Sequence, residues 1–276
     1  MNEEQVGIKR GLTGFQIKII AMILMVFDHV YVYLNYNSNI PIQFKWVGRL
    51  VAPLFIFMTV EGYCHTRNKR KYMTRLYTAQ LIMAIFNNLI GKYFPRPDGA
   101  IILNTMFGTL FLVVVYLSIV DFLKNAVEDK SISKVLLGIG FLAAPMILSF
   151  FLIMSIDKMP FVLMNIIMYL IPMPMFVEGG IVFIFLAIVL YLFRDNRDKQ
   201  IIAYIIASIV IAALSGTRLN MQSLLYENYQ WMMVFAAPLM HLYNGEKGKG
   251  IKYLFYIFYP AHIYLLYLIS YYMLIK

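Results

Sequence analysis

The chain has 276 residues, 61% of them apolar and 14% charged, with a formal net charge of +10. One soluble core cannot hide that much apolar surface, so the composition excludes an ordinary globular domain and points to a polytopic membrane protein. The basic residues cluster between apolar runs, as the positive-inside rule requires, so the positive charge does not argue for nucleic acid as a partner.

Each crossing needs about 20 mainly apolar residues, which leaves room for about nine or ten in this chain. Apolar segments fall at 15–34, 46–65, 73–94, 103–123, 132–155, 160–176, 179–193, 200–215, 229–243 and 251–274. The expected fold is all-α, a polytopic helical bundle forming a single domain over 1–276, with no linker and no internal repeat. Glu3 and Glu4 spoil a signal-peptide n-region, and no small-residue cleavage site follows the first apolar run, so that run reads as a helix and not as a cleaved signal. The sole cysteine, Cys64, rules out an internal disulfide and a cysteine metal cluster. No metal is expected.

The loops set the expected topology. HTRNKRKYMTR (65–75) holds Arg67, Lys69, Arg70, Lys71 and Arg75, the densest positive cluster in the chain. Placing it in the cytoplasm puts the N-terminus inside as well, where Lys9 and Arg10 agree. The loops 124–134 and 244–252 follow, with Lys124, Lys130, Lys134, Lys247, Lys249 and Lys252. Segment 160–176 is short and broken by Pro172 and Pro174. If it crossed fully, RDNRDKQ (194–200) would lie outside. If it is partial, 194–200 and 244–252 both stay inside, and nine crossings plus one partial segment is the expected arrangement. A non-spanning stretch at membrane depth is tolerated only when packed in protein or lining a wet cavity. That points to a cavity.

Ionisable groups inside a membrane are rare and face the bundle interior, so each is a site hypothesis. Here they are Lys18, Asp28, His29, Arg49, Glu61, Glu178 and His262, with His65 and His241 nearer segment ends. Lys18 and His29 are eleven residues apart. On a helix that spacing returns to within roughly 20° of one face with a rise of about 16 Å. Asp28 points about 100° away from His29, so its expected partner is Arg49 on the next segment, in an ion pair that could simply lock two helices. His29 has no evident structural task, and its neutral ring suits a general base. Lys18 could also snorkel to the interface. Glu61 and His65, four apart, share a face. The basic loop could serve orientation alone, or it could seat phosphates from the cytosol. No P-loop or dinucleotide glycine fingerprint is present.

Three stretches carry a resemblance: LTGFQIKIIAMILMVFDHV (12–30), VGRLVAPLFIFMTVEGYCHTRNKRKYMTRL (47–76) and HLYNGEKGKGIKYLFYIFYPAHIYLLYLI (241–269). With them the chain resembles the TraX family, named for a conjugation protein that acetylates the N-terminus of pilin. That family in turn looks related to membrane acyltransferase family 3, in which a basic residue and a histidine are separated by ten residues on the first helix. Lys18 and His29 have this spacing, and Arg67-x-x-Arg70 is the nearest equivalent of that family's arginine motif.

The resemblance implies acetyl or acyl transfer from cytosolic acetyl-CoA to an acceptor on or across the bacterial cytoplasmic membrane. Under it, His29 is the expected base, with Asp28, Arg49, Lys18 and Glu61 as further catalytic candidates. Arg67, Arg70, Lys71, Arg75 and His65 are the expected coenzyme-binding set, and Tyr259 and His262 are additional candidates. A composition rich in Lys, Ile, Asn and Tyr suggests the AT-rich genome of a low-GC bacterium. There a cell-surface glycan or envelope polymer is as reasonable an acceptor as a pilin-like peptide. A transporter, or a non-catalytic assembly protein, is the alternative reading.

Overall fold

The computed structural model describes residues 10–35, 39–102, 106–155, 157–250 and 252–275. Glu3, Glu4 and Lys9, invoked above, lie outside the described residues. The described residues contain no β-strand, and the helices run α1 (Gly14–Leu34), α2 (Gln43–Gly48), α3 (Val51–His65), α4 (Lys69–Tyr93) and α5 (Met106–Glu128). They continue as α6 (Ile132–Met154), α7 (Phe161–Leu170), α8 (Gly180–Leu192), α9 (Arg197–Leu214), α10 (Ala237–His241) and α11 (Lys252–Leu274). A π turn over Ser223–Glu227 and a 3-10 helix over Tyr229–Ala236 precede α10.

Among the described residues, five stretches are long and apolar enough to cross a bilayer: Gly14–Leu34, Gln43–His65, Met106–Glu128, Ile132–Met154 and Tyr253–Leu274. This is the makeup of a multi-pass membrane protein. The expectation of nine or ten segments goes further than these five. α4 carries Arg75, Gln80, Asn87 and Asn88, α8 spans only 13 residues, and α9 begins on Arg197, Asp198 and Lys199.

Thr13 starts α1. Its hydroxyl caps the Gln16 N–H while the Gln16 side chain accepts from the Thr13 N–H at 2.8 Å, a reciprocal capping box. The following backbone is pinned to the far end of the chain: the Gly14 and Phe15 amides donate to the carbonyls of Glu246 and Lys247 at 2.8 and 3.0 Å. This docking requires Gly248, whose φ is +70° and whose position leaves no room for a Cβ, which would lie 2.6 Å from Thr13 Oγ1. The quoted motif HLYNGEKGKG is therefore a clamp on the start of α1.

The expected segment 46–65 is two helices. Pro53 offers no N–H to the Arg49 carbonyl and its ring crowds that carbonyl, so the chain breaks at Arg49–Leu50 and restarts as α3. α3 is the central post. Residues Ile56, Phe57, Met58, Thr59, Val60 and Glu61 are all buried, which means every face of the helix meets protein, chiefly α1, α5 and α8. α6 is the opposite case, with Ile132, Leu136 and Phe151 more than 60% exposed, as suits a lipid-facing helix.

Segment 160–176 forms only α7, ten residues ending ahead of Pro172. At about 15 Å it cannot span a hydrocarbon core of about 30 Å. Contacts between helices show which ends lie together. Glu61 lies 3.5 Å from Arg197, Lys69 lies 2.5 Å from Asp121, and His241 lies 3.8 Å from Asp198. The chain therefore brings 65–75, 194–200 and 241–247 to one end of the bundle, here called the basic end. The second unexpected element is the 3-10 helix. Pro238 cannot donate to the Val234 carbonyl, and the Ala237 N–H takes that acceptor in the tighter i−3 pattern.

At the opposite end, buried Arg96 ties three elements. It donates to Ser270 Oγ at 2.9 Å and the Tyr33 carbonyl at 3.4 Å, and it forms a two-pronged ion pair with Asp98. Hydrogen bonding from Arg96 holds the Asp98 carboxyl below its usual range. A depressed carboxylate contributes stability above its unfolded pKa of about 3.9 and loses it as pH falls through the folded value. The stability difference between the wild type and Asp98→Asn, measured by thermal unfolding in detergent, should accordingly be present at neutral pH and shrink towards zero below about pH 4.

Glycines make a second test. A Cβ at Gly48 would fall 2.3 Å from Asp28 Oδ1, whereas one at Gly140 meets nothing within 4 Å. Gly48→Ala should destabilise by about 1–3 kcal/mol through overpacking. Gly140→Ala should be neutral or stabilise by up to about 1 kcal/mol through helix propensity.

Candidate active site

α1 and α11 lie against each other so that two histidines 233 positions apart meet. His29 Nδ1 is 2.6 Å from His262 Nε2, with the rings stacked at 4.9 Å and 15°. His262 Nδ1 is in turn 2.7 Å from the Phe258 carbonyl, one helical turn back. A carbonyl can only accept, so His262 Nδ1 carries the proton and its Nε2 is the acceptor. His29 must then donate from Nδ1, which leaves the lone pair of the neutral ring on Nε2. Both rings are buried, with 6% and 8% of their surface exposed.

Asp28 stands beside this pair. Its Oδ1 meets Lys45 Nζ at 3.1 Å and Arg49 Nη2 at 3.7 Å, and its Oδ2 lies 4.0 Å from His29 Nε2. The expected Asp28–Arg49 pair is present, joined by Lys45 one turn earlier on α2. The contact with His29 differs from the expected separation. Adjacent residues diverge on a helix, but the Asp28 carboxylate is long enough for its second oxygen to turn towards the imidazole while the first faces α2. Arg49 also donates to Gln230 Oε1 at 3.1 Å and lies over the Tyr229 ring at 5.4 Å, which ties it to the 3-10 helix. Its Nε is buried and has no hydrogen-bond partner among the described residues.

Of these groups Asp28, His29, Arg49 and Gln230 line a cavity of about 830 Å³ that also takes in Lys18, Glu61, His65, Arg75, Lys247 and Tyr259. Lys18 Nζ sits 5.3 Å above the Phe255 ring. Lys18, Lys247, Arg75 and His65 belong to the basic end, and His29 is about 16 Å further along α1. The shared face expected for Lys18 and His29 is thus the wall of one cavity. Deeper in, Tyr259 approaches Glu178 Oε2 at 3.5 Å, and Thr109 holds the Glu178 carbonyl at 2.7 Å. Gly179 and Gly180, both at positive φ, turn the chain there into α8.

The remaining candidates divide between this cavity and other contacts. Glu61 is 3% exposed and faces Arg194 and Arg197 at 3.7 and 3.5 Å, besides His65 at 3.8 Å. It anchors the loop ahead of α9 and neutralises two arginines. Of the coenzyme-binding set, Arg75 and His65 line the cavity, Lys71 lines a second cavity shared with Arg75, and Arg67 and Arg70 line neither. Sequence reasoning missed Lys45, Arg194 and Arg197 as partners of the intramembrane acids. Glu178 stood among the intramembrane charges without a role; the acid followed by two glycines was the signal that could have raised it.

The family model described as TraX protein matches residues 13–270. A probable fimbrial assembly protein of Dichelobacter nodosus, FimC of serogroup H1, is 27% identical over 259 residues, covering 92% of this chain and 94% of the relative. No solved structure matches. With a match that runs from the cap of α1 to the last turns of α11, the chain belongs to the TraX family.

Proposed function

We propose that this protein is an integral-membrane acyltransferase that moves an acetyl group from acetyl-CoA to an acceptor hydroxyl or amine. The observation that carries the reading is the His29–His262 pair, which aims a fixed imidazole base at a cavity whose other end is cationic. The anionic nucleotide end of the coenzyme stays with Arg75, Lys247 and His65, and its flexible arm extends past Lys18 towards His29.

In the reaction His29 Nε2 takes the proton of the acceptor as its oxygen or nitrogen attacks the thioester carbonyl. The oxyanion that forms is met by the Arg49 guanidinium, which lines the cavity and whose plane is held by Asp28 and Gln230. The carbon–sulfur bond then breaks, the coenzyme leaves as the thiolate, and the imidazolium returns the proton to the sulfur. Glu178 and Tyr259 face the same space and position the acceptor. The acceptor is a pilin-like peptide amine or a hydroxyl of an envelope glycan. A relative named for fimbrial assembly supports the former. The bilayer is the bacterial cytoplasmic membrane, crossed nine times with α7 partial and the basic end cytoplasmic. The shared end of the cationic loops supports that topology.

The same relative's name also favours a non-catalytic role in assembly. Purified protein separates the two readings: wild type should consume acetyl-CoA, and if it does not, the enzyme reading falls and assembly takes its place. His29→Ala should lower turnover at least about 100-fold with the helical signal retained. Arg75→Ala should raise KM for acetyl-CoA at least about tenfold while kcat changes little, because a charged hydrogen bond to the coenzyme is lost in ground and transition states alike.

A further inference from the structure

A second cavity, of about 730 Å³, lies between α4 and α11. Its walls are two helical stripes. On α4 they run from Lys71 and Arg75 through Ala79 and Ile82 to Phe86, and on α11 from Tyr253 through Ile257 and Ala261 to Tyr264. Steps of three and four residues keep each stripe on one face, so the two form a trough parallel to the helix axes.

The trough is closed at its far end, where Tyr264 donates to the Met83 carbonyl at 3.2 Å and to Asn87 Oδ1 at 2.9 Å. It stays open sideways. Ile82, Phe86 and Ile257 are 51%, 48% and 65% exposed, and the short side chains of Ala79 and Ala261 leave the floor unfilled. From Arg75 to Phe86 the trough runs about 16 Å, the depth of one leaflet in a hydrocarbon core of about 30 Å. Both cations stand at the basic end, with the Arg75 Nε–H turned onto the Lys71 carbonyl at 3.2 Å. Beyond them the wall is apolar apart from Thr78 and the tyrosine hydroxyls. A soluble anion would use the two cations and leave the rest of the trough empty.

We propose that the trough is a phospholipid site. One acyl chain lies along α4 and α11, and the anionic phosphate of its headgroup meets Lys71, which lines this trough and not the first cavity. Arg75, Phe107 and Tyr256 also line the first cavity, so the lipid shares a wall with the histidine-bearing cavity. The inference rests on the membrane reading and not on acyl transfer.

The test is native mass spectrometry of the full chain in detergent, titrated with phosphatidylglycerol and with phosphatidylcholine of the same chains. The expected result is a one-to-one phosphatidylglycerol adduct favoured at least about fivefold, as one cation near an anionic headgroup supplies. Lys71→Gln should reduce that preference, and Ala261→Trp and Ala79→Phe, which fill the trough from opposite walls, should each remove the adduct at unchanged melting temperature. Equal binding of the two lipids would overturn the proposal. So would an adduct that survives both filling variants, or one displaced by excess inorganic phosphate. Acetyl-CoA consumption measured on the same preparations keeps the two ideas apart: lipid selectivity without turnover removes only the enzyme reading, and turnover without lipid selectivity removes only this site.

Discussion

A carboxylate on an apolar helix must find cations or bear a cost of several kcal/mol, and Asp28 answers that constraint for the whole bundle. Lys45 and Arg49 meet it from α2, and Gly48, without a side chain, lets the two helices come close enough for that contact. α2 is thereby drawn against α1 ahead of the break imposed by Pro53. From there α3 enters the centre of the bundle, and Arg49 is left at the turn with its guanidinium facing the cavity. One neutralisation thus fixes where two helices lie and where a donor points.

The same economy recurs around the other buried charges. Glu61 holds Arg194 and Arg197, and Asp121 accepts from Tyr63, Tyr191 and Lys69, each time joining elements far apart in the chain. Ion pairs of this kind add little net stability, because desolvation offsets most of the attraction. What they set is which loops share an end. The cations gathered there give the cavity one positive mouth, and the histidine pair lies far enough inside to be shielded from bulk water.

Much of α1 was legible in the sequence. The apolar run, the common face of Lys18 and His29 and the need of Asp28 for Arg49 all follow from local spacing and from the cost of intramembrane charge. The partial nature of 160–176 was legible from Pro172 and Pro174, through the known consequences of a missing N–H. What escaped was long-range. Nothing in helical periodicity says that His262 meets His29, or that Arg194 and Arg197 reach back to Glu61, because those meetings depend on how whole helices cross. The basic loop divides for the same reason: five cations in one stretch look like a single site, yet Arg75 and Lys71 line cavities while Arg67 and Arg70 line neither.

The 3-10 winding of Tyr229–Ala236 bears on vertical reach. Eight residues wound at about 2.0 Å each, followed by the five of α10 at about 1.5 Å, cover about 23 Å, against about 20 Å for an unbroken α-helix. Those few ångströms let a short stretch run from Arg49, where Gln230 is held, to Asp198, where His241 is held. Backbone pitch here serves as a spacer that matches a segment of limited length to the thickness of its neighbours.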